Sequence, residues 1–321
     1  MSVPYEMAPC PACSTTSATV IATREEVRDE LEQLWSFQTR RLHGNTPADR
    51  LYDRVAFSQD PPLRLVRCDA CGLLYRNPRE RPAALIETYR DDAPTEPAMR
   101  ALFENQRRSY RTQVRRLVAL AGTGAGLEVG SYVGAFLDAA RDSGWDFRGV
   151  DVNETANRFA RERGLRVQRG SIEDSADDGS FDAVVFWNCF DQLPDPRAAA
   201  LVARTRLRRG GWIAVRVPSG AFYAAWRARL RSPMRPLARA LLAHNNLLGF
   251  PYRHGFSLHS LTQLLERAGF RIDRVFGDTL VPTADRWTRT WARLEQRALK
   301  TALRPLPARR APWLELYGRA P

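Results

Sequence analysis

The chain predicts an α/β protein: a parallel sheet with helices on both faces, preceded by a small N-terminal unit. Three observations carry that expectation. From about residue 126, short apolar runs alternate with segments of helical period, the pattern of strands joined by helical crossovers. The first apolar run leads into an acidic glycine stretch, Leu127-Glu128-Val129-Gly130-Ser131-Tyr132-Val133-Gly134. Ahead of both stand two short cysteine pairs, Cys10-Pro11-Ala12-Cys13 and Cys68-Asp69-Ala70-Cys71-Gly72.

Taken in order, residues 1–85 form the cysteine unit. Between its pairs, Val27, Leu31, Leu34 and Trp35 recur at helical spacing and predict an inserted helix. Leu63-Arg64-Leu65-Val66-Arg67 alternates like a strand and runs into the second pair. Asn77-Pro78-Arg79 closes the unit, because proline disfavours helix in the residue before it. Residues 86–120 are a helical connector, with helix expected from about 82 and with Leu102, Phe103, Val114, Leu117 and Leu120 as its apolar positions.

Residues 121–220 carry the alternation itself. Strands are expected at Gly126–Val129, Phe147–Val150, around Val167, at Phe181–Phe186 and at Trp212–Val217. Helices are expected at Ala135–Ser143, Glu154–Arg163 and Arg197–Leu207. Residues 221–321 are looser. Phe222 to Phe250 mixes apolar residues with arginines around Pro233 and Pro236. A helix over Ser260–Ala268 stops at Gly269, and Phe270–Phe276 and Trp313–Tyr317 read as strands. Trp287–Leu303 reads as a basic amphipathic helix with Trp287, Trp291, Leu294 and Ala298 on one face. A lid over a substrate pocket and an interfacial helix both fit such segments; the flanking strands favour the lid.

The 321 residues hold 44% hydrophobic residues and a formal charge of +13, which invites a nucleic-acid reading. Lys300 is the only lysine, so 48 of the 49 basic residues are arginine, scattered through every segment. A solvated arginine surface accounts for this, with an anionic substrate or an acidic membrane surface as alternatives. No apolar run approaches the roughly 18 residues of a spanning helix. Met1 to Cys10 lacks a basic start followed by an apolar block, so the expected location is cytoplasmic.

The glycine stretch has a chemical reading. In an open α/β sheet a nucleotide-like ligand binds at the carboxyl ends of the strands, where the chain turns sharply and approaches the ligand. Gly130 and Gly134 permit both. The free N–H groups where the next helix opens suit the carboxylate of the methionine part of S-adenosylmethionine (SAM), and Glu128 suits its ammonium group. The spacing is ExGxxxG; the GxGxxG of dinucleotide folds is absent at this turn. Asp151, ending the second strand, is placed to accept ribose hydroxyls.

Further motifs follow in order: Gly170-Ser171-Ile172-Glu173-Asp174, then Phe181 through Asn188 to Asp195-Pro196, then Leu207-Arg208-Arg209-Gly210-Gly211-Trp212. With the glycine stretch, residues 126–218 resemble the class I SAM-dependent methyltransferases, which have a Rossmann-like sheet. The resemblance implies that Glu128, Gly130, Ser131, Gly134, Asp151, Val152, Ser171, Ile172 and Asn188 bind the cofactor, Ser171 and Ile172 at the adenine. Tyr132 stands where that family usually has its middle glycine, Asn188 where aspartate is frequent, and Asp191-Gln192 where Glu-His is usual.

Four thiolates in two CxxC pairs suit a closed tetrahedral zinc site, with Cys10, Cys13, Cys68 and Cys71 as ligands and a structural role. A redox dithiol is the alternative. Leu65 through Cys68-Asp69-Ala70-Cys71-Gly72 to Arg79 also resembles the zinc-binding segment ahead of many bacterial methyltransferases that act on sugars and other small metabolites. Cys189, the fifth cysteine, sits in an apolar run and reads as a packing residue.

Proton removal from an oxygen or carbon acceptor needs a base. Among His43, His244, His254 and His259, the first choice is His254 with Tyr252 as partner, because Pro251-Tyr252-Arg253-His254-Gly255-Phe256 follows the fifth strand. The expected protein is a zinc-containing SAM-dependent methyltransferase acting on oxygen or carbon of a small molecule, a sugar or nucleotide sugar first. An RNA methyltransferase and a non-catalytic adaptor, with Tyr132 blocking the cofactor, are the alternatives. No Asn/Asp-Pro-Pro-Tyr follows the fourth strand, which counts against methylation of nucleobase amines, and nucleic acid is not the expected partner. Membrane contact is not favoured, and the oligomeric state is open.

Overall fold

The computed structural model describes residues 5–47, 63–175, 179–244, 247, 252–279 and 286–321. The chain divides into two compact units. The first comprises Met1–Glu80, Val217–Gln263 and Val275–Glu315; the second comprises Arg81–Arg216, Leu264–Arg274 and Leu316–Pro321.

The first unit opens with β1 (Tyr5–Glu6), β2 (Ala18–Ala22), α1 (Arg24–Thr39), β3 (Arg64–Cys68), β4 (Leu74–Asn77) and β5 (Arg79–Glu80). α1 starts at a capping box: the Thr23 hydroxyl accepts the Glu26 N–H, and the Glu26 carboxylate accepts the Thr23 N–H. The helix buries Val27, Leu31, Leu34 and Phe37, so Phe37 rather than Trp35 completes its apolar stripe. β2, β3 and β4 pair antiparallel in sequence.

In the second unit α2 (Pro82–Asp91) and α3 (Glu96–Ala121) take the place of the single helix expected from 82 to 120. Pro94 explains the break, since it biases Ala93 away from helix. Then follow β6 (Ala125–Val129), α4 (Ala135–Arg141), β7 (Asp146–Asp151), α5 (Glu154–Arg161), β8 (Val167–Arg169), β9 (Phe181–Trp187), α6 (Pro196–Arg206) and β10 (Leu207–Pro218). Each falls within a few residues of its predicted place, because apolar runs such as Ala183-Val184-Val185-Phe186 are wholly buried and admit no other register.

The remaining elements are α7 (Gly220–Arg227), α8 (Arg235–His244), β11 (His254–Gly255), α9 (Leu258–Arg267), β12 (Arg271–Asp278), α10 (Thr290–Leu303) and β13 (Trp313–Arg319). Residues 245–246 and 248–251, including the predicted end of the apolar segment at Phe250, lie outside the described residues. α10 buries Ala292, Gln296 and Leu303. Trp291 and Leu294, grouped on one apolar face from the sequence, are 48% and 58% exposed, and Ala298 is exposed as well. Leu299 and Leu303 instead pack with Phe222 and Leu241, so periodicity found an apolar stripe but not the side that is covered.

The large sheet has seven strands in the order β12-β13-β10-β9-β6-β7-β8. β10, β9, β6, β7 and β8 run parallel. The chain builds outward from β6 through β7 to β8 and then returns to β9 on the other side of β6. That reversal opens a crevice at the carboxyl ends of β6 and β9. A smaller sheet, in the order β11-β4-β3-β2, belongs to the first unit. Among the described residues, no helix is long and apolar enough to cross a membrane.

Candidate active site and cysteine centre

Strand register assembles the crevice. Val129 lies level with Val150 on one side and Phe186 on the other, so Gly130, Asp151 and Asn188 all emerge at one edge. The N–H groups of Gly130 and Ser131 both donate to the Val150 carbonyl, at 2.9 and 3.2 Å. Gly130 has φ +70°, and a Cβ there would come within 2.8 Å of Cys189, so only glycine lets the loop close onto β9. The Cys189 thiol donates to the Val129 carbonyl at 2.9 Å. Burial pushes that thiol well above its ordinary pKa, which fits the packing role read from the sequence and leaves little thiolate.

Asp151 organises the loop. Its Oδ2 accepts the Tyr132 N–H at 2.9 Å and its Oδ1 accepts the Asn153 N–H at 2.8 Å. Burial raises the Asp151 pKa, opposed by those two donors. Val152 follows directly, and the Asp151 carbonyl accepts the Gly170 N–H at 3.0 Å. Next to Gly170, the Ser171 N–H and hydroxyl both donate to Asp174, at 2.8 and 3.0 Å, and Ile172 is buried.

Glu128 is the most telling residue. It is 2% exposed, and its Oε2 has no hydrogen-bond partner. Burial first, and Asp151 second, raise its pKa well above the ordinary carboxylate value. A buried carboxylate without a donor is costly, and a cation beside it removes that cost. The Ser131 hydroxyl is likewise buried and unpartnered. This orphaned acid beside a glycine turn fits the amino-acid end of SAM.

Asn188, with φ +61°, donates through Nδ2 to the Tyr110 hydroxyl at 3.2 Å and accepts from Arg216 through Oδ1. Sequence reasoning missed Tyr110 and Arg216. It also missed the end of α2: Asn153 Nδ2 donates to the Tyr89 and Asp92 carbonyls at 2.9 and 2.7 Å, and the Tyr132 hydroxyl donates to the Asp92 carboxylate at 3.3 Å. The Pro94 break was the available signal.

In the first unit the four expected thiols converge. The sulfurs of Cys10, Cys13, Cys68 and Cys71 lie within 4.8 Å of one another, with Cys10–Cys71 at 3.6 Å and Cys13–Cys68 at 3.5 Å. A disulfide needs about 2 Å between sulfurs, whereas thiolates about 2.3 Å from a tetrahedral zinc stand roughly 3.8 Å apart. Both pairs turn alike: the residue after the second cysteine, Ser14 or Gly72, has positive φ, 63° and 74°. The donor set therefore suits zinc. The Cys71 thiol is pulled down to about 5, first by the hydrogen bond from Cys10.

His254 also lies in the first unit, in β11, level with Tyr75 of β4. It is buried and its Nδ1 has no partner. Burial first, then Arg253, Arg79 and Arg76, pull its pKa down to about 3. Tyr252 stacks edge-on against Trp313, with ring centroids 6.1 Å apart. His43 and His259 are exposed, while burial pulls His244 down to about 4.

A seven-stranded sheet of this order, with an acidic strand end, a glycine turn and a carboxylate on the neighbouring strand, defines the class I SAM-dependent methyltransferases. Residues 102–275 match the family described as a methyltransferase domain, and the chain belongs to that family. No curated protein matches it. Solved structures that resemble it include a SAM-dependent methyltransferase from Thermotoga maritima, at 19% identity over 69% of this chain and 92% of the other, with a TM-score of 0.48. Another, from Archaeoglobus fulgidus, has 18% identity over 68% of this chain and 98% of its own, with a TM-score of 0.47.

Proposed function

We propose that the protein transfers a methyl group from SAM to an oxygen or carbon of a small molecule, a sugar or nucleotide sugar being the first choice. The observation that carries the reading is the buried, unpartnered Glu128 carboxylate at the mouth of the β6–β9 crevice. When bound, SAM supplies a methyl group activated by a sulfonium centre. Glu128 would hold the ammonium group, and the unpartnered Ser131 hydroxyl with the free N–H groups where α4 opens after Gly134 would hold the carboxylate, while Gly130 turns the chain past it. Asp151 would take the ribose hydroxyls through the lone pairs its two backbone donors leave free. Val152, Ser171, Ile172 and Asn188 would flank the adenosine.

Displacement at a methyl carbon asks the protein chiefly to position the acceptor and exclude water. Where the acceptor must also lose a proton, His254 with Tyr252 is the proposed pair. His254 is neutral at physiological pH, as a base must be, although a pKa of about 3 makes it a weak one. Zinc on Cys10, Cys13, Cys68 and Cys71 would hold β2, β3 and the turns at their ends together. It has no proposed part in the transfer. Incubating the protein with methyl-labelled SAM and extracted metabolites, then following label into small molecules, tests the activity. Label in RNA alone would favour the alternative acceptor, and no transfer to any acceptor would contradict the proposal.

A further inference from the structure

The cleft between α1, α8 and α10, all within the first unit, carries chemistry that methyl transfer does not use. It encloses about 450 Å³, and Phe37, Arg40, Arg235, Arg239 and Trp291 line it. A fourth arginine there, Arg41, is already neutralised. Its Nε and Nη2 donate to the two Glu295 carboxylate oxygens at 2.8 and 2.7 Å, and its guanidinium lies 3.1 Å over the Phe37 ring.

The other three arginines have no acidic partner among the described residues. Arg40 donates through Nε to the Ser36 carbonyl at 3.0 Å. Arg239 is the least comfortable: its Nε is buried and has no acceptor. Burial first, then Arg235 and Arg40, lower its pKa. Arg40 and Arg235 are exposed and Arg239 is half-buried, so the three charges around one cleft repel one another, and an anion among them would relieve that repulsion and meet the unpartnered Arg239 Nε. Planar guanidinium forks match phosphoryl oxygens, and three positive charges suit an anion with more than one negative charge. Trp291, nearly half exposed, offers a flat apolar wall beside the charges.

We propose that Arg40, Arg235 and Arg239 form an anion-binding cleft for a phosphate ester or diphosphate. Titration calorimetry of the whole protein with inorganic pyrophosphate, at low and moderate salt, tests this without any need for activity. One site per chain is expected, weakening with salt, and about tenfold or more weaker in Arg239→Gln and in Arg40→Gln/Arg235→Gln. Because the substitution relieves repulsion, Arg239→Gln should melt no lower than the parent, which separates lost binding from lost folding. Absence of binding, or binding that these substitutions leave unchanged, would overturn the proposal. Vesicles of phosphatidylglycerol distinguish the source of the phosphate. Arginine-dependent sedimentation that pyrophosphate competes away assigns it to a lipid headgroup, and pyrophosphate binding without sedimentation assigns it to a soluble ligand.

Discussion

Asp151 holds the backbone of Tyr132: the carboxylate Oδ2 accepts the tyrosine N–H at 2.9 Å, where Tyr132 sits at φ +44°. The residue that replaces the usual middle glycine is thus kept in a left-handed conformation by the carboxylate proposed for the ribose. Such a conformation costs a non-glycine residue roughly 1–2 kcal/mol.

Tyr132→Gly should therefore stay folded, with a stability change of about 1 kcal/mol or less. Glycine removes the strain but has more backbone freedom to lose, and the hydroxyl contact with Asp92 goes. Denaturant unfolding measures the balance. SAM affinity should change little, since the main chain does the holding; loss of binding in this variant would contradict that view.

Asp151→Ala removes the acceptor of two backbone donors as well as the proposed ribose contact. SAM binding should weaken by roughly 1–3 kcal/mol, the cost of losing hydrogen bonds to a charged group. Calorimetry giving unchanged affinity would separate Asp151 from the ligand.

The sequence placed β6, β9 and β10 closely because their apolar runs are buried on both faces and lie next to glycine or proline, while β7 and β8, which expose Asp146, Arg148, Gln168 and Arg169, were marked only by short apolar positions. The loop residues were legible for the same reason: Gly130 and Gly134 stand at turns that exclude a side chain. What stayed hidden depends on distant partners. The pairing of His254 with Tyr75 joins segments far apart in the chain, and no local pattern encodes it. The burial of Gln296 in preference to Trp291 reflects what covers α10, not its own hydrophobicity. Asp92 escaped notice because its link to Asn153 exists only once α2 ends before Pro94.

Protein purified without added metal should carry about one zinc per chain, as read by metal analysis. Chelation should lower its melting temperature sharply, because structural zinc sites contribute on the order of 10 kcal/mol to folding. A folded, metal-free protein with an unchanged melting curve would contradict the zinc reading.

Acid should destabilise the first unit through its buried histidines. His244, beside Arg41 and Glu295, is held down to about 4, and His254, facing Arg253, Arg79, Arg76 and Glu80, to about 3. Unfolded, both take a proton near 6.5. Between about 6.5 and these values the unfolded chain binds more protons, so stability rises with pH and is lost as pH falls. His244→Phe, at a site packed edge-on to Phe37, should reduce the stability difference between pH 7 and pH 5 in urea unfolding. An undiminished difference would show that His244 titrates normally.

The central claim is that Glu128 receives the ammonium group of SAM, and calorimetry of Glu128→Gln tests it most directly. Because burial and Asp151 raise the Glu128 pKa in the free protein, binding a cation should drive proton release, and affinity should rise with pH through that pKa. The account predicts one SAM site per chain in the parent protein. In Glu128→Gln it predicts at least tenfold weaker binding, no linked proton release, and a melting temperature no lower than the parent's. Equal affinity and equal proton release in the two proteins, or no SAM binding by the parent, would contradict it.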